Sequence, residues 1–443
     1  MNNQKVAAMV IGAGLAGCEA AWQLANQGVA VNLFDMKPDK KSPAHTSDLF
    51  AELVCSNSLR SDRIQNAVGL LKEEMRRLGS LILEAADKTR VPAGGALAVD
   101  RELFSSYITE KITSHPLITV ISKEIIQIPD APCIIATGPL TSDALSSAIS
   151  AMPEVATLNF YDAAAPIVYK ESLDMNHVFR ASRYGRGDDY LNCPMDEETY
   201  HCFIDEITRA KCADIHGFED KAVFEGCMPI ETLAKRGRMT PAFGPLKPVG
   251  MVDPKTGKMP FAVLQLRQDD AGDIMYNLVG FQTRLTFPEQ RRVFGIIPAL
   301  KNAEYARYGV MHRNTFLESP GLLDQNYQMI KREGVYFAGQ MTGVEGYVES
   351  AASGFVAGYS LASQIKGQEM PIFPTITAIG ALGRYVSTPN IRFQPMNITF
   401  GLIDTPEKRI RNKQERYTYI AQRSLDWVDD FAARKHQKQE EQP

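Results

Sequence analysis

Apolar and polar positions divide the chain into recognisable pieces, the first of which is KVAAMVIGAGLAGCEAAWQLANQGVAVNLFDMK. The apolar run Val6 to Ile11 predicts a strand, the glycines after it a turn, and the small and apolar residues beyond a helix to about Asn26. Gly28 is expected to cap that helix, and Val29 to Phe34 to form a second strand ending at Asp35.

The same reading extends along the chain. PCIIATGPL predicts a short apolar strand that opens into an Ala-Thr-Gly loop. NFYDAAAPIVYK and PFAVLQLRQ read as strands, and MDEETYHCFIDEITRAKC reads as an amphipathic helix with Tyr200, Phe203 and Ile207 on one face. GVYFAGQMTGVEGYVESAASGFVAG predicts a strand, a glycine loop and a helix of small residues. After Cys55, Ser61 or Asp62 is placed to cap a helix that stops near Gly79. Proline and glycine make most of the stretch from Glu225 to Pro260 loop, and the tail RKHQKQEEQP is expected to fray.

Composition narrows the class. A chain of 443 residues, 44% hydrophobic and 23% charged, has a globular core, and at about 150 residues per domain it fits two or three domains. A net charge of −4 announces neither nucleic acid nor a membrane, so any such claim needs a local patch. The N-terminus lacks the pattern of a secretory signal, and no window has the ~18 uninterrupted apolar residues of a membrane span. The seven cysteines (Cys18, Cys55, Cys133, Cys193, Cys202, Cys212, Cys227) are odd in number and include no C-x-x-C pair. A cytoplasmic protein with reduced thiols, no disulfide framework and no metal site is expected.

The first segment is a βαβ unit with G-x-G-x-x-G at Gly12, Gly14 and Gly17, enclosing Ala13, Leu15 and Ala16. Gly12 permits the tight turn, Gly14 lets backbone approach a pyrophosphate, and Gly17 allows helix and strand to pack closely. The helix N-terminus then faces phosphate, and Asp35 is placed to hold a ribose hydroxyl. A tight turn with no ligand would show the same glycines. The distant return through Gly339, Gln340 and Gly343 is more typical of FAD than of NAD alone. The simplest layout is a discontinuous FAD domain, residues 1–157 and 333–443, with a substrate domain inserted at 158–332.

Two cysteines stand in unusual surroundings. Cys227, in EGCMPIETLAKRG, precedes a helix start at Pro229 with Lys235 and Arg236 nearby, a setting that favours thiolate, although a buried structural cysteine fits the same stretch. Cys55, in FAELVCSNSLRSD, joins an apolar run to turn-forming polar residues. It suits an acid/base group or a packing residue beside a cofactor equally well, whereas Cys18 and Cys133 read as structural. From Pro229 to Arg267, seven cations (Lys235, Arg236, Arg238, Lys247, Lys255, Lys258, Arg267) face only Glu231 and Asp253. Such a patch adds sequence-independent affinity for nucleic acid, although solvated loops would carry the same charge. A second basic run is EKRIRNKQER.

These segments resemble a known family. FAELVCSNSLRSD, NAVGLLKEEMRRLGS, RVPAGGALAVDRELFS, FEGCMPIE, AVLQLRQDD, YGVMHRN and FAGQMTGVEGYVESAASG are similar to the folate- and FAD-dependent tRNA uracil-5-methyltransferases, over nearly the whole chain. The resemblance implies an α/β chain: a Rossmann-like, glutathione-reductase-like and discontinuous FAD-binding domain with an inserted α+β substrate domain. It implies methylation of carbon 5 of the T-loop uridine, with methylenetetrahydrofolate as carbon donor, reduced FAD as hydride donor, and NADH or NADPH as the flavin's reductant. It further implies Cys227 as nucleophile and Cys55 as general base. Glu345, Tyr347, Arg284 and His312 are the candidates for folate, and Lys235, Arg236 and Arg238 for the tRNA T-arm. Partners are then tRNA and folate, with no membrane and no metal. The same chemistry on a ribosomal RNA uridine, a small-molecule flavin oxidoreductase, and an RNA-binding flavoprotein without catalysis are the rival readings.

Overall fold

The structure is a computed structural model that describes residues 7–42, 44–130, 132–185, 187–213, 228–390 and 393–440. Cys227 lies outside the described residues, as does the side chain of His312.

The apolar runs that bracket the glycine turn do form parallel strands. Ala8–Ile11 is central in a five-stranded parallel sheet, flanked by Val31–Asp35 and Ile118–Ser122 on one side and by Cys133–Ile135 and Val335–Phe337 on the other. The Leu15–Asn26 helix covers this sheet, capped by Gln27, with Gly28 just beyond it at φ +81° rather than at the cap. The second strand accordingly starts at Val31, two residues later than its hydrophobicity suggests.

The chain leaves this sheet after Ile135 and re-enters it at Val335. What closes the gap is small side chains. A Cβ on Gly354 would stand 2.1 Å from the Ala16 carbonyl oxygen, and one on Gly358 would stand 2.6 Å from that of Ala20. The Tyr347–Ile365 helix therefore packs backbone to backbone on the first helix, and buried residues of both share the main apolar core.

Between those two crossings lies a six-stranded antiparallel sheet. Its order is Phe179–Arg180, Leu191–Met195, Ala262–Gln268, Met275–Leu278, Ile167–Tyr169, Tyr305–Arg307. The Glu197–Arg209 helix starts at Asp196, whose side chain accepts the Thr199 N–H, and buries Tyr200, Phe203, Ile204 and Ile207 in a second core with this sheet. An antiparallel ribbon of Thr157–Ala163 and Met311–Leu317 makes a separate two-stranded sheet.

Two expectations need correction. The helix after Cys55 starts at Ala67, behind Asn66, not at Ser61 or Asp62. Ser61 instead ends a strand, Ser58–Ser61, that pairs with Ala96–Val99, and the buried Lys72 ammonium donates to the carbonyls of Leu59 and Ser61. The tail RKHQKQEEQP, whose last three residues lie outside the described residues, is helical as far as Glu440, within one helix that begins at Lys413. Ile420, Ala421, Leu425 and Val428 bury it, and the Ser424 hydroxyl donates to the buried Glu74.

Candidate functional site

The glycine turn opens onto a cleft enclosing about 1130 Å³, mouth included. Its walls are Gly12 to Ala16, Asp35 to Lys37, Lys123 to Ile125, Ala136 to Ser142, Gly339, Gln340, Tyr347 and Ser350. Each glycine of the turn has a separate reason. Gly12 has φ +99°, and a Cβ there would stand 2.6 Å from the Ala136 carbonyl oxygen. A Cβ on Gly17 would stand 1.8 Å from the Gly12 carbonyl oxygen, so helix and turn touch only because it is absent. A Cβ on Gly14 would meet nothing within 4 Å: that side of the backbone faces open space.

Asp35 sits where the second strand ends. One carboxylate oxygen accepts the Ala13 N–H at 2.7 Å and the other the Lys37 N–H at 2.9 Å, and each keeps further acceptor capacity. The cleft, the open face of Gly14 and an acidic residue at the strand end fit a dinucleotide with its pyrophosphate at the helix start. Ala51, Glu52 and Val54 also line the cleft, which brings the segment before Cys55 to it.

Groups remote in sequence hold Cys55 in place. The Tyr347 phenol oxygen accepts the N–H of Cys55 at 2.8 Å and that of Ser56 at 3.2 Å. Arg101 donates to the Leu53 carbonyl on one side of the cysteine and to Asp269 at 2.8 Å. Arg267, 7% exposed in the Ala262–Gln268 strand, donates to the Asn57 side-chain oxygen at 2.8 Å and the Ser56 hydroxyl at 2.7 Å. Asn57 in turn donates to the carbonyls of Val99 and Gln268, both at 2.9 Å. The Cys55 thiol lies 3.7 Å from the Ala163 carbonyl oxygen.

The charges around this cysteine are uneven. Burial opposes the charge on Arg101, and Asp269 beside it more than offsets that, so the Arg101 pKa is raised. Burial pushes Arg267 and Arg307 down, and it pushes the Tyr347 phenol up, so the phenol keeps its proton. Among the described residues, one terminal nitrogen of Arg101 and one oxygen of Asp269 are buried without a protein partner. Two unmatched polar atoms beside the Cys55 loop suit a site completed by a bound molecule.

The other sequence candidates are distributed unevenly. Gly339, Gln340 and Tyr347 line the cleft; Gly343 does not, since it turns at φ +87° against the Phe393 ring. Glu345 is buried behind it and accepts from the Gln340 amide at 2.7 Å. Arg284 donates its backbone N–H to the buried Glu231 at 2.9 Å and is not part of the cleft wall. His312 lies in the Met311–Leu317 strand. Lys235 and Arg236 are exposed at the end of the Ile230–Arg236 helix, while Arg238 is paired with Asp205 at 2.8 Å. Arg267 and Glu231, both part of the local charge count, are buried. Neither Arg101 nor Asp269 is singled out by reading the sequence. Their signal is that they lie in RVPAGGALAVDRELFS and AVLQLRQDD, two of the long family-like motifs. Cys18 and Cys133 are buried, and burial pushes the Cys133 thiol up to about 12.

The fold and cleft define an α/β protein of the FAD-binding kind, and comparison with known proteins places it more closely. Residues 7–369 match the family model described as glucose inhibited division protein A. Aquifex aeolicus GidA in its form II crystal superposes with a TM-score of 0.71 at 16% identity, covering 98% of this chain and 74% of that one, a likeness of fold. A Listeria monocytogenes protein named methylenetetrahydrofolate--tRNA-(uracil-5-)-methyltransferase TrmFO is 58% identical over 425 residues, 96% of this chain and 98% of its own. Proteins of the same name from Acetivibrio thermocellus and Staphylococcus aureus are each 57% identical, over 96% and 95% of this chain and 98% of their own. The chain belongs to the methylenetetrahydrofolate--tRNA-(uracil-5-)-methyltransferase family.

Proposed function

We propose that this protein methylates carbon 5 of the T-loop uridine of tRNA, taking the carbon from methylenetetrahydrofolate. The observation that carries this reading is end-to-end identity of 57–58% to proteins bearing that name. Carbon 5 of uracil is a weak nucleophile. Addition of the Cys227 thiolate at carbon 6 makes the base an enolate, whose carbon 5 bonds to the folate methylene carbon as one of that carbon's two bonds to folate nitrogen breaks and the freed nitrogen takes up a proton. The carbon 5 proton must then leave, and Cys55, gripped on both sides of its backbone, accepts it. Departure of tetrahydrofolate leaves an exocyclic methylene on the base.

Gly12 to Gly17, Asp35, Gly339 and Gln340 would hold FAD, which when reduced would supply the hydride that turns the methylene into methyl, while the bond between carbon 6 and sulfur breaks and frees the Cys227 thiolate. Gly343 supports that loop from behind. NADH or NADPH is the source of those electrons. Tyr347 and Glu345 stand at the folate end; Arg284 and His312 are the remaining folate candidates. Lys235 and Arg236 are the first tRNA contacts, with Arg238 available once its pairing to Asp205 opens. A cytoplasmic setting fits an odd number of cysteines with no C-x-x-C pair.

The test is transfer of label. Reduced, FAD-loaded protein with labelled methylenetetrahydrofolate and a T-arm transcript is expected to yield labelled 5-methyluridine. Label found only in ribosomal RNA would shift the substrate. No label in any RNA would overturn the reading.

A further inference from the structure

Tyr184 combines two properties that rarely occur together. It is 54% exposed, yet its backbone lies in the left-handed region, φ 64° and ψ 26°, which bulky side chains seldom adopt. The surrounding structure holds it there from several directions. Ser182 N–H donates to the Gly187 carbonyl at 2.7 Å across the turn. Arg183 donates to the carbonyls of Lys247 at 3.1 Å and Pro245 at 2.5 Å, locking the turn to the loop opposite. Gly250 closes the other side: at φ +74°, its Cβ would stand 2.8 Å from the Tyr184 nitrogen. Strained backbone held by its surroundings clusters at active sites, ligand clamps and switch regions.

The partner is indicated by charge and by place. The Lys247 ammonium stands 5.7 Å from the Tyr184 ring centroid, and Val249 beside it is 43% exposed. From Phe243 to Met259 the loop carries Lys247, Lys255 and Lys258 against one acid, Asp253, which is buried and accepts the Lys255 N–H. Of the acids after the turn, Asp188 is exposed, and Asp189 accepts the Gly94 N–H at 2.5 Å. The same chain then reaches Tyr190, which donates to the Ala93 carbonyl at 3.1 Å and lies within electrostatic range of Arg267. Arg267 in turn holds Ser56, next to Cys55. Tyr184 therefore stands beside Lys247, in a segment linked through Tyr190, Arg267 and Ser56 to the loop that carries the candidate catalytic thiol.

We propose that Tyr184 is a stacking platform for an unpaired nucleobase of the substrate RNA loop, with Lys247 beside it for the adjoining phosphate. This rests on the RNA-methylating reading above and names the loop contact that reading lacks. Exposed aromatics among cations are how proteins take hold of single-stranded bases, and every base offers a face to stack.

The test uses the full-length, FAD-loaded protein and fluorescence anisotropy with a labelled T-arm hairpin, beside a blunt duplex of equal length. Tyr184→Asn, which tolerates the left-handed backbone, is expected to bind the hairpin about tenfold more weakly and the duplex within about twofold of the parent. Tyr184→Phe and Tyr184→Trp keep the platform and are expected to stay within about twofold on the hairpin, so a folding defect in the Asn variant alone does not decide the matter. Lys247→Ala should lower the slope of log affinity against log salt by about one. Unchanged hairpin binding by Tyr184→Asn, equal loss on the duplex, or a tenfold loss in Tyr184→Trp overturns the proposal. A rise in KM for methylenetetrahydrofolate with RNA binding intact also overturns it, since the ring would then stack on the pterin. If the parent protein methylates the hairpin and Tyr184→Asn does so with the same KM, only this inference fails. If the parent methylates no RNA, the functional reading fails with it.

Discussion

The phenol oxygen of Tyr347 accepts the backbone N–H of Cys55 at 2.8 Å, across 292 positions of sequence. With the Ser56 N–H at 3.2 Å, one side chain from the start of the Tyr347–Ile365 helix satisfies two successive amides of the cysteine loop. The thiol is thereby fixed relative to the cleft by a residue that itself lines the cleft.

Tyr347→Phe is therefore expected to leave both amides without their acceptor, at a cost of roughly 1–3 kcal/mol in stability. The looser cysteine loop should lower kcat for methylation about tenfold to a hundredfold. Thermal unfolding and single-turnover methylation measure the two effects. Wild-type turnover by the Phe variant would show that these hydrogen bonds do not position the thiol.

The turn glycines are expected to separate folding from cofactor binding. Gly14→Ala meets no protein atom, so the apoprotein should unfold at the parent temperature while flavin affinity falls about tenfold or more, because the methyl occupies the pyrophosphate's approach. Gly17→Ala collides with the Gly12 carbonyl and should destabilise the apoprotein itself by about 1–3 kcal/mol or more. Apoprotein melting and flavin titration of both variants read the difference; equal melting temperatures for the two would contradict it.

Burial pushes the Lys72 ammonium down to about 7 from its ordinary 10.5, with Asp62 working in the opposite direction. Between those values the unfolded chain binds more protons than the folded one, so stability should rise as pH rises from about 7 towards 10.5. Lys72→Met removes the titrating group and should flatten that part of the profile, read by denaturant unfolding at several pH values. The same slope in parent and variant would assign it to another group.

Much of the dinucleotide half was legible because packing leaves its glycines no alternative: no other residue fits at Gly12 and Gly17. Cys55 was legible as a boundary, since its polar neighbours Ser56 and Asn57 are the atoms that Arg267 grips. Arg267 itself was not. Along the chain it adds one more charge to a basic stretch, but its strand is buried at every position, so its guanidinium must find partners inside. Ser61 misled for a related reason. A good capping residue was drawn into a strand by pairing with Ala96, which local propensity does not register. The cleft's far wall, Lys123 to Ile125, carries no motif and becomes visible only when the parallel sheet brings it beside Asp35.

The division of labour between the two thiols is tested most directly by a covalent trap. A T-arm hairpin carrying 5-fluorouridine, incubated with reduced enzyme and methylenetetrahydrofolate, should stay bound through sulfur because fluorine cannot leave as a proton does. Peptide mass spectrometry is expected to place the adduct on Cys227 in the parent and in Cys55→Ala, with none in Cys227→Ala. An adduct that survives in Cys227→Ala, or that maps to Cys55, would contradict the assignment of nucleophile and base.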